Sequence, residues 1–341
     1  MSQSLQWNRR RLLKALAAGG SIALPACDQL DVRIKNKPDA ILYDGDGRPY
    51  IPPITATEEF YRYQCCGRPE FDADTWSLAI VDRGEVLATV DKAYLDTLPV
   101  TEIELTLECI GAGPRNPNIN NAIWGGIPLR DLLDGLGVPA HDASIRELRL
   151  VGADDYHASL PIDTLDTAPI WVIWQMNGEP LPFEHGHPAR LMVPGHYGIK
   201  NLKWITEIEF VDEVWEGFWD AFGWDHVGVY KVNGYILVPA SESVNEGPVV
   251  VLGTAFAGSD PVTRVEISSD EGDTWKDCEF DYGPGADRWV LWSYVFDPVR
   301  KGEHTLEVRC TTASGAVTVG PQASKPKAGY DGGQRIRITV T

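Results

Sequence analysis

Near residue 235 the texture of this 341-residue chain changes, and the change restricts what either part can fold into. From there to the C-terminus, apolar runs at 249–256, 262–268, 289–296, 304–310 and 335–340 recur at near-regular spacing, with no helical periodicity between them. Turn-forming groups at 268–273, Gly283-Pro284-Gly285 and Ser314-Gly315 separate them. A strand cannot bury one face alone, so such runs must pair into sheets that pack on one another. Residues 235–341 are therefore expected to form an immunoglobulin-like β-sandwich.

The preceding part, 55–234, mixes its patterns. Residues 76–80 and 102–109 alternate as strands do, which puts Leu105 and Leu107 on one face and Thr106 and Glu108 on the other. Further short apolar runs occur at 148–151, 170–175, 189–193 and 204–210. At 128–136, PLRDLLDGL has helical spacing, with Pro128 at its start and Gly137 after its end. Long loops rich in Gly, Asn, Pro and His lie between these runs. The expected class is α+β, with the chemistry carried on the loops.

Residues 1–27 read as an address. Arg9, Arg10, Arg11 and Lys14 precede an apolar run over 15–26, too short to span a bilayer as a stable helix. The paired arginines followed by Leu-Leu-Lys resemble a twin-arginine export signal. Leu24-Pro25-Ala26-Cys27 resembles a lipobox, with Cys27 as the lipid-bearing residue; cleavage near Ala26 without lipidation is the alternative. The implied location is the periplasm, with Cys27 as an inner-membrane tether. Residues 28–54 are polar and Pro-rich, and read as an extended arm.

The formal charge is -19. Such a surface repels nucleic-acid phosphates and suits a basic partner protein approached by electrostatic steering. Six cysteines in a chain of this length do not make a disulfide scaffold. Cys65 and Cys66 are adjacent, which is poor geometry for a mutual bridge.

Three constellations carry chemistry. Cys109 ends a strand and is followed by Ile110-Gly111-Ala112-Gly113-Pro114-Arg115-Asn116, where glycines allow a bulky ligand close to the backbone. A thiolate there suits a soft or high-valent metal, although the residue read alone also fits a buried core thiol. Glu184-His185-Gly186-His187-Pro188-Ala189-Arg190 and the run from Pro194 to Trp204 bring His185, His187, Arg190, His196, Lys200 and Lys203 together in an otherwise acidic chain. Cations beside glycine-exposed amides are what a phosphate needs. Zinc is the competing reading, without the usual ligand spacing.

LTLECIG (105–111), WGGIPLRDLL (124–133), GADDYHASLP (152–161), NGEPLPFEHGHPARLMVPGHYGIKNLKW (177–204) and ISSDEGDTW (267–275) follow one another in an order that resembles the sulfite oxidase family. The resemblance implies a mixed α/β molybdopterin domain, then a dimerisation domain, and hence a homodimer. It implies a molybdenum–molybdopterin cofactor with Cys109 as the protein's ligand to the metal. By the same resemblance His185 and Arg190 bind the cofactor. Lys200 and Lys203, beside His196, Gly198 and Ile199, meet the pterin phosphate, and Asp154 lies near the pterin. Tyr61, Arg62, Tyr63 and Gln64 fall where the family has a substrate-binding Arg and a cofactor-binding His; Arg62 fits the Arg, and Gln64 stands at the His position.

Arg62 and Arg115 would hold an anionic sulfur substrate, sulfite in the family. The usual Asn-Arg-Arg run after the ligand Cys is replaced here by Ala112-Gly113-Pro114-Arg115. Tyr230 and the aromatic stretch 218–224 are the candidates for the family's active-site Tyr. No Cys-x-x-Cys-His heme motif occurs, so a separate c-type cytochrome is the expected electron acceptor. Related enzymes acting on sulfoxides or sulfane sulfur, and a cofactor-free exported binding or assembly module, remain alternatives.

Overall fold

The structure, a computed structural model, describes residues 42–43, 45, 47–114, 117–239, 243–298, 300–320 and 326–341. Arg115, the leader with Cys27, and residues 28–41 of the expected arm lie outside the described residues.

Two five-stranded sheets form the first unit. One runs in the order Glu179–Pro180, Trp171–Met176, Ile119–Pro128, Thr101–Glu108, with Arg190–Met192 also pairing to Trp171–Met176. All of its pairs are antiparallel. The other runs Glu85–Asp91, Ser77–Asp82, Ile205–Val211, Glu147–Gly152, His157–Pro161. Only its Ser77–Asp82 and Ile205–Val211 pair is parallel. Period-two alternation aims Leu78, Ile80, Leu148 and Leu150 into one core, where they meet Leu129, Leu132 and Leu133 of the helix Leu129–Gly135. Gly137, at φ +69°, takes the left-handed conformation that lets the chain leave the helix.

Strand dominates this unit more than the sequence pattern indicates. The other described α-helices, Lys92–Leu95 and Asp163–Thr167, are single turns. Besides the two-residue Glu179–Pro180, three strands escape the pattern: Glu85–Asp91, Ile119–Pro128 and His157–Pro161. Ile119–Pro128 holds two Asn and two Gly, residues that strands usually avoid. Tertiary packing overrides that preference. A side chain at Gly126 would collide with the Val172 carbonyl, so the backbones approach closely where the register shifts.

The second unit also has two five-stranded sheets. One is ordered Glu279–Tyr282, Val290–Phe296, Val249–Phe256, Asn233–Val238, Gly332–Gly333; the other Ser243–Val244, Arg335–Val340, Gly302–Thr312, Val262–Ser268, Lys276–Asp277. They share one core, in which Val251, Val290 and Trp292 meet Val265, Leu306, Val308 and Ile338. Its first strand starts at Asn233, just before the sequence boundary.

A third cluster joins the units, with Ile110, Ile119 and Tyr197 packed against Tyr235, Phe256, Trp289 and Tyr330. This joint explains why the strand Thr101–Glu108 is buried on both faces over its last four residues. Leu105 and Leu107 face the first unit's apolar cluster. Thr106, on the opposite face, donates its N–H to the Asp287 carbonyl and accepts from the Trp289 N–H at its Oγ1, each at 2.8 Å.

Candidate active site

Cys109 is the first residue past the strand Thr101–Glu108. Its N–H donates to the Asn118 carbonyl at 2.9 Å, and its own carbonyl accepts from Ala112 N–H at 2.8 Å. These two bonds fix a turn that leaves the half-buried thiol on the wall of a cavity of about 320 Å³. Burial pushes the thiol pKa up to about 11. The preceding residue points the other way. The Glu108 carboxylate is fully buried and accepts from Asn233 Nδ2 and the Tyr235 hydroxyl, both of the second unit, at 2.9 Å. Burial raises its pKa to about 8.

Opposite the thiol, the segment 183–204 supplies cations. Arg190 is buried and donates to the His185 and Asn201 carbonyls at 3.0 and 3.2 Å, with its guanidinium over the Trp124 ring at 4.9 Å. Lys203 donates to Gln64 Oε1 and the Glu184 carbonyl, both at 3.1 Å, and lies 4.2 Å from the Trp204 ring centre. Among the described residues neither cation has a carboxylate within salt-bridge distance. Desolvation accordingly lowers Arg190 to about 10 and Lys203 to about 7. Such a pair beside a cavity favours an anion between them. The His185 ring donates through Nε2 to the Thr57 carbonyl at 3.1 Å. Burial, with Arg190 nearby, depresses its pKa to about 3, so it is neutral with Nδ1 as an acceptor.

The cavity gathers most of the residues the sequence pointed to. Tyr61, Arg62, Tyr63 and Gln64 form one side, and Asp154, Gly198 and Ile199 lie on the wall with Cys109, His185, Arg190 and Lys203. Asp154 is raised above its ordinary carboxylate range by burial.

Three of the expected positions lie off this cavity. Lys200 is buried but does not line the cavity; its Nζ donates to the Ser159 carbonyl at 2.8 Å, in the field of Asp220, Glu147 and Asp225. Gly198–Lys200 is a 3₁₀ turn, in which successive side chains diverge by about 120°, so Ile199 and Lys200 cannot share a direction. His196 also turns away, its Nδ1 meeting the Pro194 carbonyl at 3.0 Å on the side where Asp287 of the second unit lies. Tyr230 is likewise core: it packs on Tyr197 and Phe256 and accepts the Glu108 N–H at 3.3 Å. Arg115 lies outside the described residues.

Other wall residues were not legible. Tyr156 donates to the Ile199 carbonyl at 2.7 Å, and Asn118 holds the Cys109 turn. Trp219 and Trp224, within the aromatic stretch, are also on the wall. A Cβ on Gly111 would lie 3.6 Å from Trp224 and 3.8 Å from the Cys109 sulfur, so indole and thiol flank that glycine. The glycine-bearing loop after Cys109 was the one signal for Asn118; Tyr156 falls within the GADDYHASLP segment, which marked Asp154 but assigned the tyrosine no role.

Three buried polar atoms in this wall, Tyr61 Oη, Asn118 Oδ1 and Arg190 Nε, have no hydrogen-bond partner among the described residues. A side chain at Gly198 would approach Tyr61 Oη at 3.3 Å and the Glu108 carbonyl at 3.5 Å, so only glycine leaves the backbone open beside the thiol. A polar ligand that satisfies the orphaned atoms, an anionic group for the cations and a metal for the thiolate describe one molecule of mixed chemistry.

Comparison with known proteins gives that molecule a family. The oxidoreductase molybdopterin binding domain matches residues 66–219, and the Mo-co oxidoreductase dimerisation domain matches 227–320. Mitochondrial sulfite oxidase of Macaca fascicularis is 28% identical over 321 residues, covering 80% of this chain and 58% of the relative. Sulfite oxidase of Arabidopsis thaliana is 27% identical over 282 residues, covering 66% of this chain and 71% of the relative. The crystal structure of the sulfane dehydrogenase SoxCD from Paracoccus pantotrophus superposes with a TM-score of 0.75 at 22% identity, covering 85% of this chain and 82% of that one. The chain belongs to the sulfite oxidase family of molybdopterin oxidoreductases, and its cofactor is a molybdenum–molybdopterin. It spans 58% of the length of the mitochondrial relative. The thiol, the unpaired cations and the orphaned polar atoms fit this group.

Proposed function

We propose that the chain is a periplasmic sulfite dehydrogenase, which oxidises sulfite to sulfate and passes the electrons to a c-type cytochrome. One observation carries the reading: a half-buried thiol, the buried Arg190 and the half-buried Lys203, both cations without carboxylate partners among the described residues, share a single cavity. The bound cofactor supplies two-electron oxygen-atom chemistry. Cys109 is the ligand to its metal and must give up its Sγ proton to bind, which its raised pKa makes dependent on the metal's own charge. Lys203 and Arg190 hold the anionic end of the pterin, while Gln64, Asp154 and neutral His185 offer hydrogen bonds to its polar edge. Arg62, on the wall, orients an anionic substrate, and Arg115 is assigned the same role.

The other assignments rest on sequence and family. The arginine-paired leader supports export, and Cys27 a lipid tether to the inner membrane. The dimerisation-domain match supports a homodimer. Two five-stranded sheets around one core support the immunoglobulin-like reading of the second unit. The acidic composition supports docking of a basic cytochrome.

A second reading, turnover of a larger sulfur compound such as a sulfoxide or a sulfane, is favoured by Trp219 and Trp224 on the wall beside the thiol. The exported protein, assayed for molybdenum and for sulfite-dependent cytochrome c reduction, tests both. About one metal per chain with reduction by sulfite supports the proposal. Metal with turnover of sulfoxide or thiosulfate alone moves it to the second reading. Absence of metal after expression in a cofactor-producing host refutes both.

A further inference from the structure

Adjacent residues in an extended chain point to opposite sides. At Cys65 and Cys66 the chain bends instead, and the two sulfurs face each other at 2.8 Å. Both residues are half-buried, and Cys65 lines the cavity. The segment around them is tied down at both ends. Gln64 accepts from Lys203 at 3.1 Å, and Arg68 pairs with Glu184 at 3.2 Å with its guanidinium 4.7 Å from the Phe183 ring centre. The dithiol therefore sits beside the cation assigned to the anionic end of the cofactor, within the field of Asp154 and Lys203.

Neighbouring Cα atoms are only about 3.8 Å apart, whereas relaxed disulfides span roughly 4.4–6.8 Å. A bridge between adjacent cysteines is consequently strained and easily reduced, which places it with labile, regulatory disulfides rather than structural ones.

We propose that Cys65 and Cys66 are a redox-active vicinal dithiol that closes to a disulfide in the cavity wall by exchange with a small-molecule disulfide. One cysteine sulfur attacks the reagent's S–S bond, forming a mixed disulfide and releasing one thiol. The second cysteine sulfur displaces the other half as the Cys65–Cys66 bond forms. The protein loses two electrons and two protons, and the reagent leaves as two thiols. The closed ring removes side-chain rotation at both cysteines and stiffens the backbone next to Gln64, the residue that holds Lys203.

Because the readout is covalent mass, the test is independent of the substrate reading. The exported protein is equilibrated in buffers of varied reduced and oxidised glutathione, acid-quenched, alkylated and digested with trypsin. The fragment 63–83 contains these two cysteines and no others. The expected result is a fragment that takes two alkyl groups in reducing buffer and none in oxidising buffer, lighter by two hydrogens and reverting on return to reducing buffer. Cys66→Ser should instead carry a glutathione adduct on Cys65. Two alkyl groups on the wild-type fragment across the whole range, or a persistent wild-type glutathione adduct, overturns the proposal.

Discussion

Replacing Glu108 by alanine tests whether the joint between the two units holds the ligand-bearing strand. In the native protein the carboxyl satisfies Asn233 Nδ2 and the Tyr235 hydroxyl at 2.9 Å each, at a site with no solvent access. Asn233 Nδ2 keeps one bond to the Lys231 carbonyl at 3.2 Å, whereas the Tyr235 hydroxyl is left without its carboxylate acceptor. An orphaned buried donor costs about 1–3 kcal/mol, and the vacated side-chain space adds about 1 kcal/mol. Removing a buried carboxyl offsets part of this, but below its pKa of about 8 the group is largely neutral and the offset is small. The net expectation near pH 6 is a loss of about 2–4 kcal/mol, or about 3–6 °C in melting temperature at this chain length. Tyr235→Phe alone should cost about 1–2 kcal/mol, and the double variant about 1 kcal/mol less than the sum, because both changes break the same bond. Thermal unfolding of the four proteins by tryptophan fluorescence provides the measurement. A Glu108→Ala melt within about 1 °C of the parent, or strict additivity, would refute the reasoning.

Four further outcomes are expected. Cys109→Ser should fold normally, by an unchanged circular dichroism spectrum and melt, and abolish sulfite-dependent cytochrome reduction; full activity would remove Cys109 as the metal ligand. Lys203→Met should raise the stability of cofactor-free protein by about 1–3 kcal/mol, since a desolvated cation is removed, while lowering molybdenum retained after gel filtration. Because Lys203 falls to about 7 in the fold, the unfolded chain binds more protons between about pH 7 and its ordinary lysine pKa. Lys203 therefore contributes stability that grows with pH across that window, opposed by the raised Cys109 thiol, so the Met variant's stability should respond to pH less positively than the parent's. His185, depressed to about 3, acts in the same direction lower down: stability is complete above the ordinary histidine pKa and falls as pH drops toward 3, a loss that His185→Gln should lessen in acid unfolding of cofactor-free protein. Finally, steering by the acidic surface predicts that cytochrome reduction slows as salt rises; a rate flat with ionic strength argues against steering.

The sequence by itself determined the two-part organisation. The apolar runs over 249–256, 262–268 and 335–340 correspond to strands with those same bounds, because strands packed into a core are bounded by turn-forming residues and carry largely apolar sequence between them. It also marked Cys109, His185, Arg190 and Lys203, since a thiol beside glycines and a cation cluster in an acidic chain are unusual locally. Which cations face the cavity was a tertiary matter. Lys200 and Lys203 look alike in sequence, yet a 3₁₀ turn sends one to the Ser159 carbonyl and leaves the other beside Gln64. Ile119–Pro128 reads poorly as a strand because its glycines serve close backbone approach, which only the neighbouring strand reveals. Cys65 and Cys66 looked mismatched until the bend between them turned both sulfurs to one side. Local pattern reports what each residue is paired with along the chain; directions of side chains across a cavity depend on contacts between segments far apart in sequence, and those exist only once the chain has folded.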